Sequence, residues 1–297
     1  MTKTATKTKR KPNKAGKPGK RPVSPRFSAD TADRHDLYQL SVQNVESEVD
    51  FVCEAFEEAR GRLLRVLRED FAGTANTACE FVSRDAANRA VAVDLDGPTL
   101  GWGREHNLAR LSDEQKDRVS LVEGDVRTPG PTGTGVDAVL AMNFSYWIFQ
   151  TRDALRDYFA KVRESLADDG VFFLDFYGGY EAMSEQEEDR EIDDPETGKR
   201  AFTYVWDQHR YNPITGEMDC RIHFKFRDGT RMQSAFEYTW RLWTLPEIRE
   251  LLAEAGYPSV AVYCEGTDED GEGDGVFEPA ETCDADAAFI CYIVAAK

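Results

Sequence analysis

Beyond residue 30 the chain alternates short apolar runs with longer segments whose apolar residues recur at helical spacing. Leu37, Leu40, Val45, Val49, Val52 and Phe56 keep that spacing and predict one or two helices across 30–60. "RLLRVLRE" then reads as a first buried strand, "RAVAVDLD" (89–96) as a second and "VSLVEGDV" (119–126) as a third. The start of "VDAVLAMNFSYWIF" makes a fourth, and "VFFLDFYGG" a fifth. Between them "TACEFV", "TLGWGREHNLARL" and "RDALRDYFAKVRESLADDG" carry helical patterns, the last stopped by Gly170. Strands apolar on both faces, alternating with helices, predict a parallel sheet covered on both sides.

The pattern changes after Gly179. "EAMSEQEEDREIDDPETGK" reads as an acidic loop, and three runs of period two follow: "AFTYVWDQHRY", "EMDCRIHFKF" and "RMQSAFEYTWRLW". Phe202, Tyr204 and Trp206 share one face, as do Ile222, Phe224 and Phe226, and then Phe236, Tyr238 and Trp240. "NPITG" and "RDGT" between them carry hairpin-turn chemistry. An antiparallel insertion is therefore expected, with Arg221, His223 and Lys225 in a row on its polar side. The α/β order then resumes with a helix ("TLPEIRELLAEAG"), a strand ("SVAVYCEG"), an acidic loop ("TDEDGEGDG") and a last strand ("AAFICYIVAA"). The expected organisation is a basic tail over 1–29, a helical segment over 30–60, an α/β domain formed by 61–180 and 239–297 with seven strands, and the insertion over 181–238.

Charge is unevenly placed. Residues 1–26 hold ten Lys or Arg and no acid, so of the whole-chain charge of −18 the remainder carries −28. That body would repel a phosphate backbone, which argues against nucleic acid as the substrate; weak, sequence-independent attraction is confined to the tail. No apolar run reaches the ~20 residues that span a bilayer, and the N-terminus has no apolar core of a secretory signal. Cys53, Cys79, Cys220, Cys264, Cys283 and Cys291 include no Cys-x-x-Cys pair. They predict small buried residues or free thiols in a reducing cytoplasm, and no metal site.

Each strand of the α/β part ends in a polar or charged group: Glu69 and Asp70, Asp94, Asp125, Asn143, Asp175. Ligands of such sheets sit beyond the carboxyl ends of the strands, so these residues define a rim. The loop after the first strand, "LREDFAGTAN", is the informative one. A dinucleotide site needs Gly-x-Gly-x-x-Gly there, yet the three places hold Phe71, Gly73 and Asn76. Glu69 and Asp70 would also repel a pyrophosphate. The site suits a nucleoside without phosphates that carries a cationic arm. Asp94, about twenty residues beyond the loop, is placed to accept hydrogen bonds from both ribose hydroxyls, with Leu95 against the adenine face. Asp125 can accept from the adenine amino group while Val126 covers the ring.

The ordered set "VLREDFAGTA", "VAVDLD", "VEGDV", "NFSYWIF" and "FFLDFYGG" resembles the motifs of class I S-adenosylmethionine-dependent methyltransferases over 63–179 and again over 238–256. The combination of REDF-GTA with NFSY is similar to a bacterial subgroup. The resemblance implies a Rossmann-like methyltransferase fold, S-adenosylmethionine as methyl donor, and a small-molecule acceptor methylated by in-line transfer. It implies a cofactor site of Glu69, Asp70, Phe71, Gly73, Thr74, Asp94, Leu95, Asp125, Val126 and Asn143. Phe71 and Ala75 stand where that family usually has its outer glycines. Asn143 or Tyr146 would position or deprotonate the acceptor, or else Phe144, Tyr146 and Trp147 form an apolar wall. Tyr38 and Gln43 would close over the cofactor. Two other readings remain open: a non-catalytic methyltransferase-like scaffold, and an RNA methyltransferase recruited by residues 1–26. The aromatic side of the insertion needs cover, which a homodimer would provide.

Overall fold

The computed structural model describes residues 27–267 and 273–297. The basic tail over 1–26, with its expected nucleic-acid contact, lies outside the described residues. Two helices open the chain, α1 (Arg34–Ser41), capped by Asp33, and α2 (Val45–Arg60), capped by Asn44 and ended by Gly61 in the left-handed region. The α/β part follows as β1 (Val66–Asp70), α3 (Asn76–Arg84), β2 (Arg89–Asp94), α4 (Gly97–His106), the short α5 (Asp113–Lys116), β3 (Val119–Glu123), β4 (Val136–Ala141), α6 (Arg152–Ser165) and β5 (Leu166–Gly178). The insertion holds β6 (Gln186–Asp194), β7 (Lys199–Tyr211), β8 (Glu217–Phe226) and β9 (Arg231–Arg241). The chain ends with α7 (Leu245–Glu254), β10 (Ser259–Thr267), β11 (Gly273–Pro279) and β12 (Phe289–Ala296).

The main sheet runs β11-β10-β12-β5-β4-β1-β2-β3. β5, β4, β1, β2 and β3 are mutually parallel, and the remaining strands join antiparallel. Alternation along each strand builds two cores. Phe172 and Leu174 face α6 and α7, whereas Val171 and Phe173 face α2 and α3. Strand order reverses between β1 and β4, the topological switch point where a crevice opens.

Among the described residues eight strands form this sheet, not the expected seven. The extra one, β11, pairs with β10 at the edge and is exposed along most of its length. An edge strand solvated on both faces has no apolar period to read. The insertion likewise has four strands: β6 occupies much of the stretch read as an acidic loop, and pairs with β7. Its charged residues are what an unpaired edge calls for. Of the six cysteines, Cys264 and Cys283 form a disulfide across nineteen residues, which corrects the expectation of free thiols throughout; Cys53, Cys79, Cys220 and Cys291 are free. The two bridged residues carry no motif and meet only because the β10–β11 hairpin folds back. Among the described residues no helix is long and apolar enough to cross a membrane.

The aromatic face of the insertion is covered by its own chain. Leu37, Tyr38 and Phe27 pack on Phe202, Phe224, Phe226 and Phe236 in a third core. The reason given for a homodimer is thereby removed.

Candidate functional site

The loop after β1 keeps a tight path without most of its glycines. Gly73 has φ of 52°, and Phe71 and Ala75 adopt the same left-handed region at 56° each. A non-glycine residue there costs on the order of 1–2 kcal/mol, so the surroundings must hold the loop. Phe71 packs its ring on Tyr158 and Phe149. The Gly73 amide donates to Asp94 Oδ2 at 2.7 Å, and the Asp96 amide donates to Asp94 Oδ1 at 2.8 Å. Asn107 donates to the Thr74 carbonyl at 3.0 Å, and Gln39 to Thr74 Oγ1 at 2.8 Å.

Helix α4 supports the loop from below. A Cβ on Gly103 would lie 2.2 Å from the Thr74 carbonyl oxygen, so only glycine admits the loop backbone here. Gly103→Ala is expected to destabilise the protein by about 1–3 kcal/mol through overpacking and to displace the loop. Thermal unfolding measures this; an unchanged midpoint would show that α4 simply retreats.

A cavity of about 470 Å³ opens above this loop, at the switch point between β1 and β4. Glu69, Asp70, Phe71, Gly73, Thr74 and Asp94 line it from the loop and β2, and Asn143 from the end of β4. Its roof was not fully foreseen: Arg34, His35, Tyr38 and Gln43 close it from the N-terminal segment, and Ser234–Tyr238 from β9. Gln43 accepts from Asn76 at 3.1 Å, tying that roof to α3.

The rim carboxylates differ in what they do. Glu69 accepts from the Ala78 amide at 2.9 Å, capping α3, and burial pushes its pKa up to about 8. Asp70 contributes to the lining, but its carboxylate turns to the other face of β1. There it takes both Nε and Nη2 of Arg68 (2.8 and 3.0 Å) and the Tyr158 hydroxyl (2.9 Å). Asp125 pairs with Arg127 at 2.6 Å and lies outside the cavity lining. Leu95, 69 % exposed, and Val126, buried in the core, also lie outside it. Tyr146 is fully buried and donates to the Asp175 carbonyl at 2.9 Å; it lines no described cavity. With Trp147 it belongs to the core wall.

Asn143 and Phe144 both have left-handed φ, 57° and 55°. Asp175 holds this turn by accepting both amides, at 2.7 and 2.9 Å, and burial raises its pKa to about 7. Asn143 projects into a second cavity of about 550 Å³ as well, and Tyr38, Tyr238 and Trp240 also border both. The two chambers thus share lining at the turn after β4. Glu48 of α2 faces the second one, and no sequence reasoning singled it out. The signal was present: Glu48 occupies an inward position beside Val49, on the apolar stripe of α2.

The polar row of the insertion is internally satisfied. Arg221 pairs with Glu237 (3.4 Å) and Lys225 with Asp189 (2.8 Å), and His223 is buried at 4 % exposure rather than solvated. Glu187, Asp207 and His223 bring their ligand atoms within 4.8 Å of one another. The Ser234 amide donates to His223 Nδ1 at 2.7 Å, which leaves the ring proton on Nε2, facing Asp207 at 3.2 Å. This tautomer has no Nε2 lone pair for a metal. It pins the bulge at Ser234 (φ 46°) that carries β9 into the cavity roof.

No protein-family model matches the chain, and no curated protein does. Solved structures do match. An S-adenosylmethionine-dependent methyltransferase from Clostridium acetobutylicum superposes with a TM-score of 0.61 at 18 % identity, over 88 % of this chain and 96 % of that one. CalS10, an amino pentose methyltransferase from Micromonospora echinaspora, gives 0.60 at 19 % identity over 88 % and 95 %. The sugar N-methyltransferase KedS8 from Streptoalloteichus gives 0.58 at 13 % identity over 96 % and 100 %. The chain has the fold of the S-adenosylmethionine-dependent methyltransferases.

Proposed function

We propose that the protein transfers a methyl group from S-adenosylmethionine to a small-molecule acceptor. One observation carries this reading: the switch-point cavity, built by Gly73, Glu69 and Asp94, borders a second chamber, with Asn143 lining both. A pure binding protein needs the first chamber alone. An enzyme needs the second beside it, and about 550 Å³ suits a small molecule. The sugar substrates named for two of the similar structures support an acceptor of that size.

The residues present fit the donor. Asp94 keeps lone pairs facing the cavity beyond those used by the Gly73 and Asp96 amides, as a ribose diol requires. The loop backbone from Phe71 to Thr74 passes close enough for main-chain contact with the amino-acid arm, and Glu69 gains from that arm's positive charge. When bound, the donor supplies an electrophilic methyl on a sulfonium, a good leaving group. The chain's part is then orientation and exclusion of water, for on the order of 7–11 kcal/mol at best. Arg34, His35, Tyr38 and Gln43 exclude water from above, and Asn143 lines both chambers. Tyr146, held in the core, supports the Asn143 turn and does not reach the acceptor.

Calorimetry is expected to show S-adenosylmethionine and S-adenosylhomocysteine binding with micromolar affinity, with no comparable binding of NAD or ATP. Absence of S-adenosylhomocysteine binding, or equal binding of NAD, would overturn the assignment.

A further inference from the structure

We propose that the acceptor is an amine that arrives protonated, received in the second chamber between Glu48 and a ring of aromatic side chains, with Glu48 taking the ammonium proton. The inference rests on the methyl-transfer reading above and names its substrate class. Glu48 is 8 % exposed; its carboxylate takes the Asn44 amide and the Thr77 hydroxyl, and its Oε2 is left without a hydrogen-bond partner. Burying such an oxygen is costly unless a donor or a cation meets it. The helix dipole does not explain the arrangement, because Glu46 in the same first turn enjoys it while remaining in solvent. Asp175 is different: both of its oxygens are committed to the Asn143 and Phe144 amides.

Glu48 lines the second chamber, and Thr77, whose hydroxyl it takes, lines the first. The Glu48 charge helps to raise the pKa of both Glu69 and Asp175. It also acts on the hydroxyls of Tyr38 and Tyr292. Those two rings, with Tyr204, Trp206, Tyr238 and Trp240, line the chamber. Aromatic faces around a buried carboxylate are the surroundings that hold an organic cation. Among the described lining residues the single base is Arg190, whose guanidinium lies over the Tyr204 ring 5.2 Å away and donates to the Ser41 carbonyl. An anionic acceptor would meet Glu48, Asp175, Glu188 and Glu265 instead.

An ammonium nitrogen has no lone pair to offer. Transfer of its proton to Glu48 breaks one N–H bond and forms one O–H bond, turning an ion pair into a neutral amine beside a neutral acid. Burial lifts the Glu48 pKa to about 7, which gives it the proton affinity a base needs near neutrality.

Benzylamine and benzyl alcohol share a ring and a reach but differ in charge, and each can be titrated into the protein with and without S-adenosylhomocysteine. The wild type is expected to bind benzylamine roughly tenfold or more tightly than the alcohol. Glu48→Gln is expected to reduce that preference to about twofold or less while changing S-adenosylhomocysteine affinity by less than about threefold. Equal binding of the two probes by the wild type overturns the proposal whether or not any variant folds. So does a preference that survives in Glu48→Gln. Loss of S-adenosylhomocysteine binding with the amine preference intact would instead strike the donor assignment, so the two failures are distinguishable.

Discussion

Arg68→Met is expected to destabilise the protein by about 3–5 kcal/mol, the cost of stranding a buried charge. Arg68 and Asp70 are neighbours on one face of β1, and both side chains are fully buried. The guanidinium also donates to the Gly133 carbonyl and to Ser165 Oγ, each at 2.7 Å, so it joins β1, the turn before β4 and the end of α6. Methionine fills much of the same space but leaves the Asp70 carboxylate with only Tyr158 as a donor. At roughly 2–4 °C per kcal/mol for a chain of this size, the unfolding midpoint should drop by about 10 °C. Arg68→Met combined with Asp70→Leu should recover most of the loss, because it removes both charges together. By contrast, Arg152→Ala breaks a half-exposed pair with Glu254 and should cost under about 1 kcal/mol. Equal stability of Arg68→Met and the wild type in urea unfolding would show that the pair is not closed to water.

The same two residues show where sequence reasoning reached and where it stopped. Strands β1, β2, β4 and β5 were legible because burial on both faces leaves an unbroken apolar run, and their parallel pairing followed from the alternation with helices. The period of two in β1 also sets Arg68 and Asp70 on the face opposite Glu69. Asp70 could thus have been assigned to the interior, had the alternation been applied inside the motif as well as outside it. Strands β6 and β11 were illegible for a different reason: they are solvated edges held by backbone hydrogen bonds, which leave no mark in side-chain pattern. The conformation of Phe71 and Ala75 was equally hidden. A non-glycine residue gives no sign that its φ is positive, so nothing at Phe71 or Ala75 announces the left-handed path that both adopt. Glu48 was passed over because an acid amid apolar residues reads as the solvent side of a helix, whereas Asp175, expected on the rim, has its carboxylate committed to the Asn143 and Phe144 amides.

Asp94→Ala is expected to weaken S-adenosylhomocysteine binding by about a hundredfold or more, measured by calorimetry. Hydrogen bonds from two ribose hydroxyls to a carboxylate contribute roughly 1.5–3 kcal/mol each, and about 1.4 kcal/mol is a factor of ten. The substitution also releases the Gly73 amide, so the loop loses an anchor at the centre of its left-handed path. Asp94→Asn separates the two effects: its side-chain carbonyl can still accept from Gly73, while the charged acceptor for the diol is gone. Intermediate affinity in Asp94→Asn would apportion the loss between loop and ribose. Asp125→Ala is the control, since that carboxylate is spent on Arg127 and borders no part of the cavity; its affinity should stay within about threefold of the wild type, less than the 1.4 kcal/mol that one decade represents. Unchanged binding in Asp94→Ala would mean that the nucleoside does not lie across the end of β2, and the donor site would have to be sought elsewhere on the sheet. A large loss in Asp125→Ala would show instead that the Arg127 pair opens to admit an adenine.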